Sequence, residues 1–307
     1  MLKPHALHAG DRLALVAPAS PFTREKFDRG VEEVRRLGFV PVYDDTVFAR
    51  DQYVAGPPEL RAEAIHAAWR DPSIAGLIGV RGGYGSAQLL PMLDRNEARR
   101  ARKPFIGYSD LTSLLTFHTI RCDLVAFHGP MLAGRLGRGL AGYDQDSFVK
   151  AVCRREPIGE LTGPGVETIR QGEAAGPLLG GTLTQLLASI GTPFAFAPPP
   201  GYVLFVDEVG ERPYRLDRMV TQLAQTGVLA RASAVVVGEL PKCDEPSGDP
   251  TARTVIANLL RNFDGPVIIG FPSGHTSGAA LTLPFGVSCR VIADGRPRIV
   301  IEEAAVE

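Results

Sequence analysis

The sequence predicts a two-domain α/β protein with a parallel sheet that is covered by helices on both faces. Short apolar runs alternate with amphipathic segments through the first half of the chain. Continuous apolar strands between helices are typical of a parallel sheet that is buried on both sides. The length, 307 residues, is great for one hydrophobic core and suits two.

Strands and helices follow one another in the first half. We predict strands over residues 13–17, 39–43, 74–80 and 105–107. We predict helices over residues 24–37, 58–69, 86–93 and 111–120. Glycine at position 38 ends the first helix. Ligand sites in such a doubly wound sheet are expected at the carboxyl ends of the strands.

The periodic pattern weakens over residues 136–175, where glycine, proline and arginine are frequent. We therefore predict a linker there, between an N-terminal domain at 1–135 and a C-terminal domain at 176–307. Helices of the second domain are predicted over 182–190, 213–226 and 251–262. Its strands are predicted over 202–206, 234–238, 267–270, 290–292 and 298–301.

Composition excludes several classes of protein. The formal net charge is −1, and no basic block indicates a nucleic-acid partner, so a small or peptide-like substrate is favoured. The four cysteines are widely spaced, which indicates reduced thiols rather than a disulfide framework or a zinc site.

Residues 13–19 resemble a signal-peptide core, but the run is short and follows Asp11 and Arg12. No apolar run approaches the ~20 residues of a membrane span. We expect a cytoplasmic protein without a membrane partner.

The segment around Ser109 is the first candidate for chemistry. A short apolar strand meets glycine and then serine, and a helical pattern follows at once. That geometry exposes a serine hydroxyl on a sharp turn and directs helix amides at the space beside it. Ser109 is therefore a candidate nucleophile, and it needs a base and an acid from elsewhere in the chain.

Six histidines are available as the base. His275 is the strongest candidate, because it stands in a glycine-flanked loop directly after a predicted buried strand. His128 follows a strand-like run and is the second candidate. His66 and His118 sit in helical patterns typical of packed or solvated imidazoles.

Two carboxylates, Asp207 and Glu208, follow another apolar strand. One of them could orient and charge the histidine. The other interpretation is a solvated loop with a favourable charge near the next helix, which contributes about 0.3–1 kcal/mol. The residues alone do not choose between the two acids.

The glycine-rich turn at residues 80–86 lacks the pattern of a phosphate loop or of a dinucleotide fold. Its backbone N–H groups, with the amide after Ser109, could instead stabilise an oxyanion. The alternative is a tight turn in which glycine has no other role. There is no HExxH motif and no histidine pair at helical i, i+4 spacing, so we expect no metal, and we expect no other cofactor.

Seven short motifs together resemble the LD-carboxypeptidase family of serine peptidases, which includes muramoyltetrapeptide carboxypeptidases and microcin C self-immunity hydrolases. In chain order they are Val16-Ala17-Pro18-Ala19-Ser20, Arg81-Gly82-Gly83-Tyr84-Gly85, Gly107-Tyr108-Ser109-Asp110, His128-Gly129-Pro130, Gly180-Gly181-Thr182, Pro213-Tyr214-Arg215 and Gly274-His275. The resemblance covers nearly the whole chain.

The resemblance implies a flavodoxin-like N-terminal domain and a smaller C-terminal α/β domain of the swivelling, partly barrel-like type, usually in a homodimer. It implies a triad of Ser109, His275 and an acid. The family usually reads Glu-Asp where this chain has Asp207-Glu208. In the family, the first of these two acids belongs to the triad, so position in the chain favours Asp207, whereas residue type favours Glu208. We favour Asp207, because the end of the strand fixes where a side chain points.

The implied reaction is hydrolysis of the amide between an L-centre, diaminopimelate or lysine, and the terminal D-alanine of a murein tetrapeptide during peptidoglycan recycling. Amides of Gly83 and Asp110 are expected to hold the oxyanion. Arg81 and Tyr84 are expected to contact the substrate.

Two rival functions follow from the same sequence. A microcin-type immunity hydrolase would use the same triad on an aminoacyl or peptidyl nucleotide, and an aromatic platform would be expected for the base. Trp69 is the single tryptophan and lies on a predicted helix of the first domain. The second rival is a non-catalytic two-domain binding protein, which Ser109 and His275 argue against.

Overall fold

The computed structural model describes residues 1–307. The strands of its first sheet are β1 (Arg12–Val16), β2 (Val40–Val42), β3 (Ile74–Gly79), β4 (Phe105–Gly107), β5 (Ala126–His128) and β12 (Leu283–Phe285). They lie in the order β12-β5-β4-β3-β1-β2. Every neighbouring pair is parallel except β12 with β5.

Four helices connect the parallel strands: α1 (Arg24–Arg36), α2 (Pro58–Arg70), α3 (Arg95–Ala101) and α4 (Thr112–Thr116). Local signals set their ends. Helix α2 has proline in its first turn, where the missing N–H costs nothing, and α1 ends before Gly38, which has a φ of 90°. The predicted helix at 86–93 is a 3₁₀ helix (Ser86–Met92) that contains Pro91. The one predicted at 111–120 divides into α4 and a turn of π-helix (Phe117–Arg121).

The second sheet has eight strands. They are β6 (Gly159–Leu161), β7 (Glu167–Arg170), β8 (Gly172–Thr182), β9 (Tyr202–Asp207), β10 (Ala232–Gly238), β11 (Val267–Phe271), β13 (Ser288–Ala293) and β14 (Arg298–Ile301). Their order is β6-β14-β13-β8-β9-β10-β11-β7. The four central strands from β8 to β11 are parallel, and antiparallel strands extend the sheet at both sides. Because β6 and β7 are edge strands, the sheet is not a closed barrel.

Four further helices complete the chain: α5 (Gln145–Cys153), α6 (Leu183–Ser189), α7 (Pro213–Gln225) and α8 (Ala252–Leu260). Helices α6, α7 and α8 bury apolar side chains in a core on one side of the parallel strands of the second sheet. The opposite side of that sheet belongs to the large core of the first domain, which includes Phe205 and Phe285. The two sheets are therefore packed together.

The segment predicted as a linker contains regular structure. Helix α5 and the strands β6 and β7 all lie within residues 136–175. Glycine and proline flank these short strands, so the sequence has little periodicity there. Strand β12 belongs to the second half of the chain but pairs with β5 in the first sheet. The chain therefore crosses between the sheets more than once. Hydrogen bonds join residues at or just after the carboxyl ends of β4, β5, β9 and β11, so these ends meet.

Candidate active site

Ser109 lies on a sharp turn between β4 and α4. Its φ of 64° is in the left-handed region, which costs a residue with a side chain about 1–2 kcal/mol. A turn of this kind directs the hydroxyl away from the sheet, as in nucleophile elbows. The helix can follow the strand this closely because residue 107 is glycine: a Cβ there would lie 2.6 Å from Leu111 Cδ1.

A series of hydrogen bonds joins Ser109, His275 and Asp207. His275 Nε2 lies 3.1 Å from Ser109 Oγ, and His275 Nδ1 lies 2.7 Å from Asp207 Oδ2. The carboxylate can only accept, so Nδ1–H is the donor and Nε2 is free to accept from the serine hydroxyl. The structure thus places an imidazole where it can take the serine proton.

Asp207 is fully buried at the end of β9 and accepts three hydrogen bonds. Besides His275 Nδ1–H, the His275 backbone N–H donates to Oδ2 at 2.7 Å, and Thr182 Oγ1 donates to Oδ1 at 2.8 Å. Burial acts to raise the pKa of Asp207, but the charge and hydrogen bonds of His275 outweigh burial and hold the pKa well below its usual value.

The pKa of His275 responds to the same two effects in the opposite direction. Burial alone would lower it, but the attraction and hydrogen bond of Asp207 prevail and raise the pKa above its usual value. The pair therefore favours an ionised carboxylate beside an imidazole that readily accepts a proton.

Glu208 does not contact His275. Its Oε2 accepts hydrogen bonds from the Thr184 backbone N–H at 2.9 Å and from Thr184 Oγ1 at 2.6 Å. The carboxylate thereby satisfies an N–H in the first turn of α6 that has no partner within the helix. Burial raises the pKa of Glu208. Of the two candidate acids, Asp207 is the one that the fold brings to the histidine.

The space beside the Ser109 hydroxyl is kept open by Gly82. A Cβ there would lie 3.3 Å from both Ser109 Oγ and the Asp110 backbone nitrogen. Gly83 lines the same cavity as Ser109, has a φ of 97°, and makes no hydrogen bond within the chain through its N–H. The Asp110 side chain points away from this space and accepts from the Ser86 N–H at 2.9 Å. The backbone N–H groups of Gly83 and Asp110 are therefore available to a ligand.

The two residues predicted to bind substrate lie on the same glycine-rich turn. Arg81 is exposed, lines the cavity beside Ser109, and donates to the Pro21 carbonyl. Tyr84 is 52% exposed, and its ring centroid lies 5.4 Å from that of Tyr53, which is 59% exposed. Both side chains are at the surface, and Arg81 is the one that lines the cavity of Ser109.

The second candidate base, His128, is buried and contacts Ser273 Oγ at 3.2 Å. Burial lowers its pKa to about 4, so the imidazole is neutral. His66 and His118 bond to Glu97 and to the Leu114 carbonyl. No group of three or more side chains is arranged to hold a metal ion. No helix has both the length and the apolar character needed to cross a membrane.

Family models for LD-carboxypeptidases match both halves of the chain. The N-terminal domain model matches residues 13–129, and the C-terminal domain model matches residues 175–291. The chain belongs to the LD-carboxypeptidase family. It is therefore a hydrolase of the peptidase class, and the resemblance seen in the seven sequence motifs is confirmed.

Individual relatives match nearly the whole chain. A Streptomyces coelicolor protein, provisionally named a carboxypeptidase, is 35% identical over 96% of this chain and 94% of its own. The murein tetrapeptide carboxypeptidase of Pseudomonas aeruginosa is 30% identical over 86% of this chain and 88% of its own. The structure of the microcin C7 self-immunity protein, which occurs in Escherichia coli, is 26% identical and covers 100% of both chains with a TM-score of 0.91. The predicted two-domain α/β fold is confirmed by this likeness.

One arginine of this LD-carboxypeptidase family member was missed by the sequence reasoning. Arg135 follows β5 in the first domain, is 5% exposed, and donates hydrogen bonds at 2.7–2.9 Å to the carbonyls of Gly142, Gly274, Thr276 and Gly278. Three of these carbonyls belong to the loop that carries His275. Arg135 therefore fixes the His275 loop against the domain that carries Ser109. Arginine in a weakly periodic, glycine-rich segment gave no signal of this role.

Proposed function

We propose that this protein is a serine-type LD-carboxypeptidase that removes the terminal D-alanine from murein tetrapeptides. The observation that carries the proposal is the hydrogen-bonded series from Ser109 Oγ through His275 to Asp207 Oδ2. The family membership supports peptide hydrolysis, and the Pseudomonas aeruginosa relative supports the murein substrate.

In the proposed acylation, His275 Nε2 removes the Ser109 proton as Oγ bonds to the carbonyl carbon of the L-centre. The tetrahedral intermediate collapses when the C–N bond breaks, and the imidazolium gives its proton to the leaving D-alanine amine. Asp207 keeps accepting from Nδ1–H and stabilises the positive imidazolium without itself becoming protonated. An acyl-enzyme and free D-alanine result.

Deacylation repeats these roles with water as the nucleophile. His275 takes a proton from water, the hydroxide oxygen bonds to the acyl carbon, and the ester bond to Ser109 breaks as Oγ regains the proton. The backbone N–H groups of Gly83 and Asp110 are proposed to donate to the oxyanion in both halves. Removal of one such donor typically costs about 10²–10³-fold in kcat. No step in this scheme requires a cofactor.

The direct test is incubation of the purified protein with a murein tetrapeptide and mass spectrometry of the products. We expect a tripeptide and one equivalent of D-alanine. Ser109→Ala is the matched control, because it removes one oxygen atom and should lower turnover by several orders of magnitude without unfolding the protein. Absence of cleavage at high enzyme concentration, or near-normal turnover by Ser109→Ala, contradicts the proposal. The proposal includes a cytoplasmic homodimer, and sedimentation analysis checks the dimer.

The second candidate function is a microcin-type immunity hydrolase. The full-length likeness to the microcin C7 self-immunity protein favours it, and that protein has been solved with glutamyl sulfamoyl guanosine. Trp69 cannot supply an aromatic platform, because it is 5% exposed and packs against His66 and His118. The exposed Tyr53–Tyr84 pair is the aromatic surface near the glycine-rich turn. An aminoacyl sulfamoyl nucleoside, assayed beside the tetrapeptide, decides between the two: faster hydrolysis of the nucleoside favours this function.

A further inference from the structure

Two adjoining cavities beside Ser109 are lined by cationic side chains and by no acidic one. The first has a volume of about 310 Å³ and includes Ser109 in its wall. The second, of about 230 Å³, shares four lining residues with the first: Lys26, Tyr108, Ala133 and Gly134. Together their walls contain five cations: Lys26, Arg29, Arg81, Arg135 and Arg138. A cavity wall that carries positive charge and no acidic side chain, next to a nucleophile, favours an anionic group on the substrate.

Only some of these cations are free to bind a ligand. Arg135 is occupied by four backbone carbonyls, Arg81 donates to the Pro21 carbonyl, and Arg29 is paired with Glu25 at 3.2 Å. Lys26 has no hydrogen-bond or ion-pair partner. Arg138 has only a long 3.5 Å contact with the Ala141 carbonyl. The two free cations are therefore Lys26 and Arg138.

The backbone that carries these two side chains is held closely together. A Cβ on Gly30 of α1 would clash with the Leu132 carbonyl, and a Cβ on Gly137 would lie 3.0 Å from the Lys26 carbonyl oxygen. The segment after β5 is in turn bonded to the first sheet through Leu132 N–H and the Gly79 carbonyl. Lys26 and Arg138 are thus positioned against the same framework as Ser109.

Tyr108 and Arg135 connect the cavities to the histidine. The Tyr108 ring, which lines both, is 5.2 Å from the imidazole of His275, and Arg135 in the second cavity binds the His275 loop. The leaving amine must be near His275, because His275 protonates it. In the proposed scheme, the leaving residue therefore extends toward these cavities. Phe22, Met131 and Ala133 supply apolar wall for a small side chain.

We propose that Lys26 and Arg138 bind the free α-carboxylate of the leaving residue and so restrict the enzyme to removal of a single C-terminal residue. This inference rests on the proposed carboxypeptidase function. The carboxylate of a C-terminal amino acid is two bonds from its amine nitrogen, so a group held near His275 places its charge in the adjoining cationic cavity. An internal peptide bond offers no such anion.

The test compares a tetrapeptide that ends in D-alanine with the same peptide ending in D-alanine amide. Hydrogen bonds to a charged group predict that the wild type prefers the acid by about 10- to 100-fold in kcat/KM. We expect Lys26→Gln/Arg138→Gln to lose most of that preference. The charge-conserving Lys26→Arg/Arg138→Lys variant should keep most of it.

Lys242→Gln/Arg218→Gln is the matched control, because it removes the same two charges from exposed positions after β10 and on α7, outside the cavities. This control should retain the wild-type preference, and all variants should keep their melting temperature.

A preference for the acid that survives in Lys26→Gln/Arg138→Gln overturns the inference, and so does a wild type without any preference. If the cations bind a phosphate instead, adenosine monophosphate inhibits the wild type but not the double variant, while the acid preference is unchanged. That result also overturns it. A wild type that cleaves neither peptide refutes the carboxypeptidase function itself, which distinguishes the two failures.

Discussion

Replacement of Asp207 by asparagine keeps the size of the side chain but removes the charge beside His275. In the wild type, the carboxylate accepts from both the backbone N–H and Nδ1–H of His275. An asparagine amide group can instead donate to Nδ1, which favours the tautomer with the proton on Nε2. That tautomer cannot accept the Ser109 proton.

The expected fall in kcat has two causes. The charge that raises the pKa of His275 is absent in Asp207→Asn, and the tautomer is wrong for proton transfer. The same change in a serine-protease triad lowers kcat about 10⁴-fold, or about 5.5 kcal/mol at 1.36 kcal/mol per decade. We expect a loss of about 10³–10⁴-fold here.

Glu208→Gln is the matched control, since it makes the same chemical change one residue away. A glutamine oxygen can still accept from the Thr184 N–H and hydroxyl, so the first turn of α6 keeps its partner. We expect little change in kcat and a stability loss of about 1 kcal/mol. Steady-state kinetics on the tetrapeptide and thermal melts measure both. Equal, mild kinetic losses in the two variants would refute the role of Asp207.

Three further predictions concern the same site. The acid limb of kcat/KM should have its midpoint above pH 6.5, because the raised pKa of His275 keeps the base protonated to higher pH; a midpoint clearly below 6.5 contradicts this. Gly82→Ala should lower kcat by about 10²-fold or more without unfolding the protein, because the added Cβ would fill the space 3.3 Å from Ser109 Oγ and the Asp110 nitrogen. If kcat is unchanged while the melting temperature is normal, that space has no role in catalysis. Arg135→Lys keeps the charge but not the planar set of donors, so we expect a lower kcat with little change in KM, and a rise in KM alone would point to substrate binding instead.

Local sequence patterns were sufficient to locate the Ser109 turn and most of the parallel strands. The apolar run, glycine and helical pattern around Ser109 describe interactions between residues close in the chain, and the fold keeps them as β4, the turn and α4. His275 was chosen for a similar reason, because a loop after a buried strand lies at the edge of a parallel sheet.

Elements that depend on pairing with distant segments had weaker sequence patterns than the Ser109 turn. The predicted linker contains α5, β6 and β7, whose stability depends on neighbours that are remote in the chain. Strand β12 has three residues and is defined by its partner β5, so no local pattern assigns it to the first sheet. A short edge strand is determined by what it pairs with rather than by its own composition.

The sequence determined the fold class, the serine turn and a choice of two adjacent acids, because each depends on the burial and backbone preferences of neighbouring residues. The tertiary structure decided which acid contacts His275, and it showed that Glu208 is engaged by Thr184. It also brought Lys26 and Arg138 to one cavity and Arg135 to the His275 loop. These contacts join segments far apart in the chain, and only the packing of the two sheets and of α1 against the segment after β5 sets their distances.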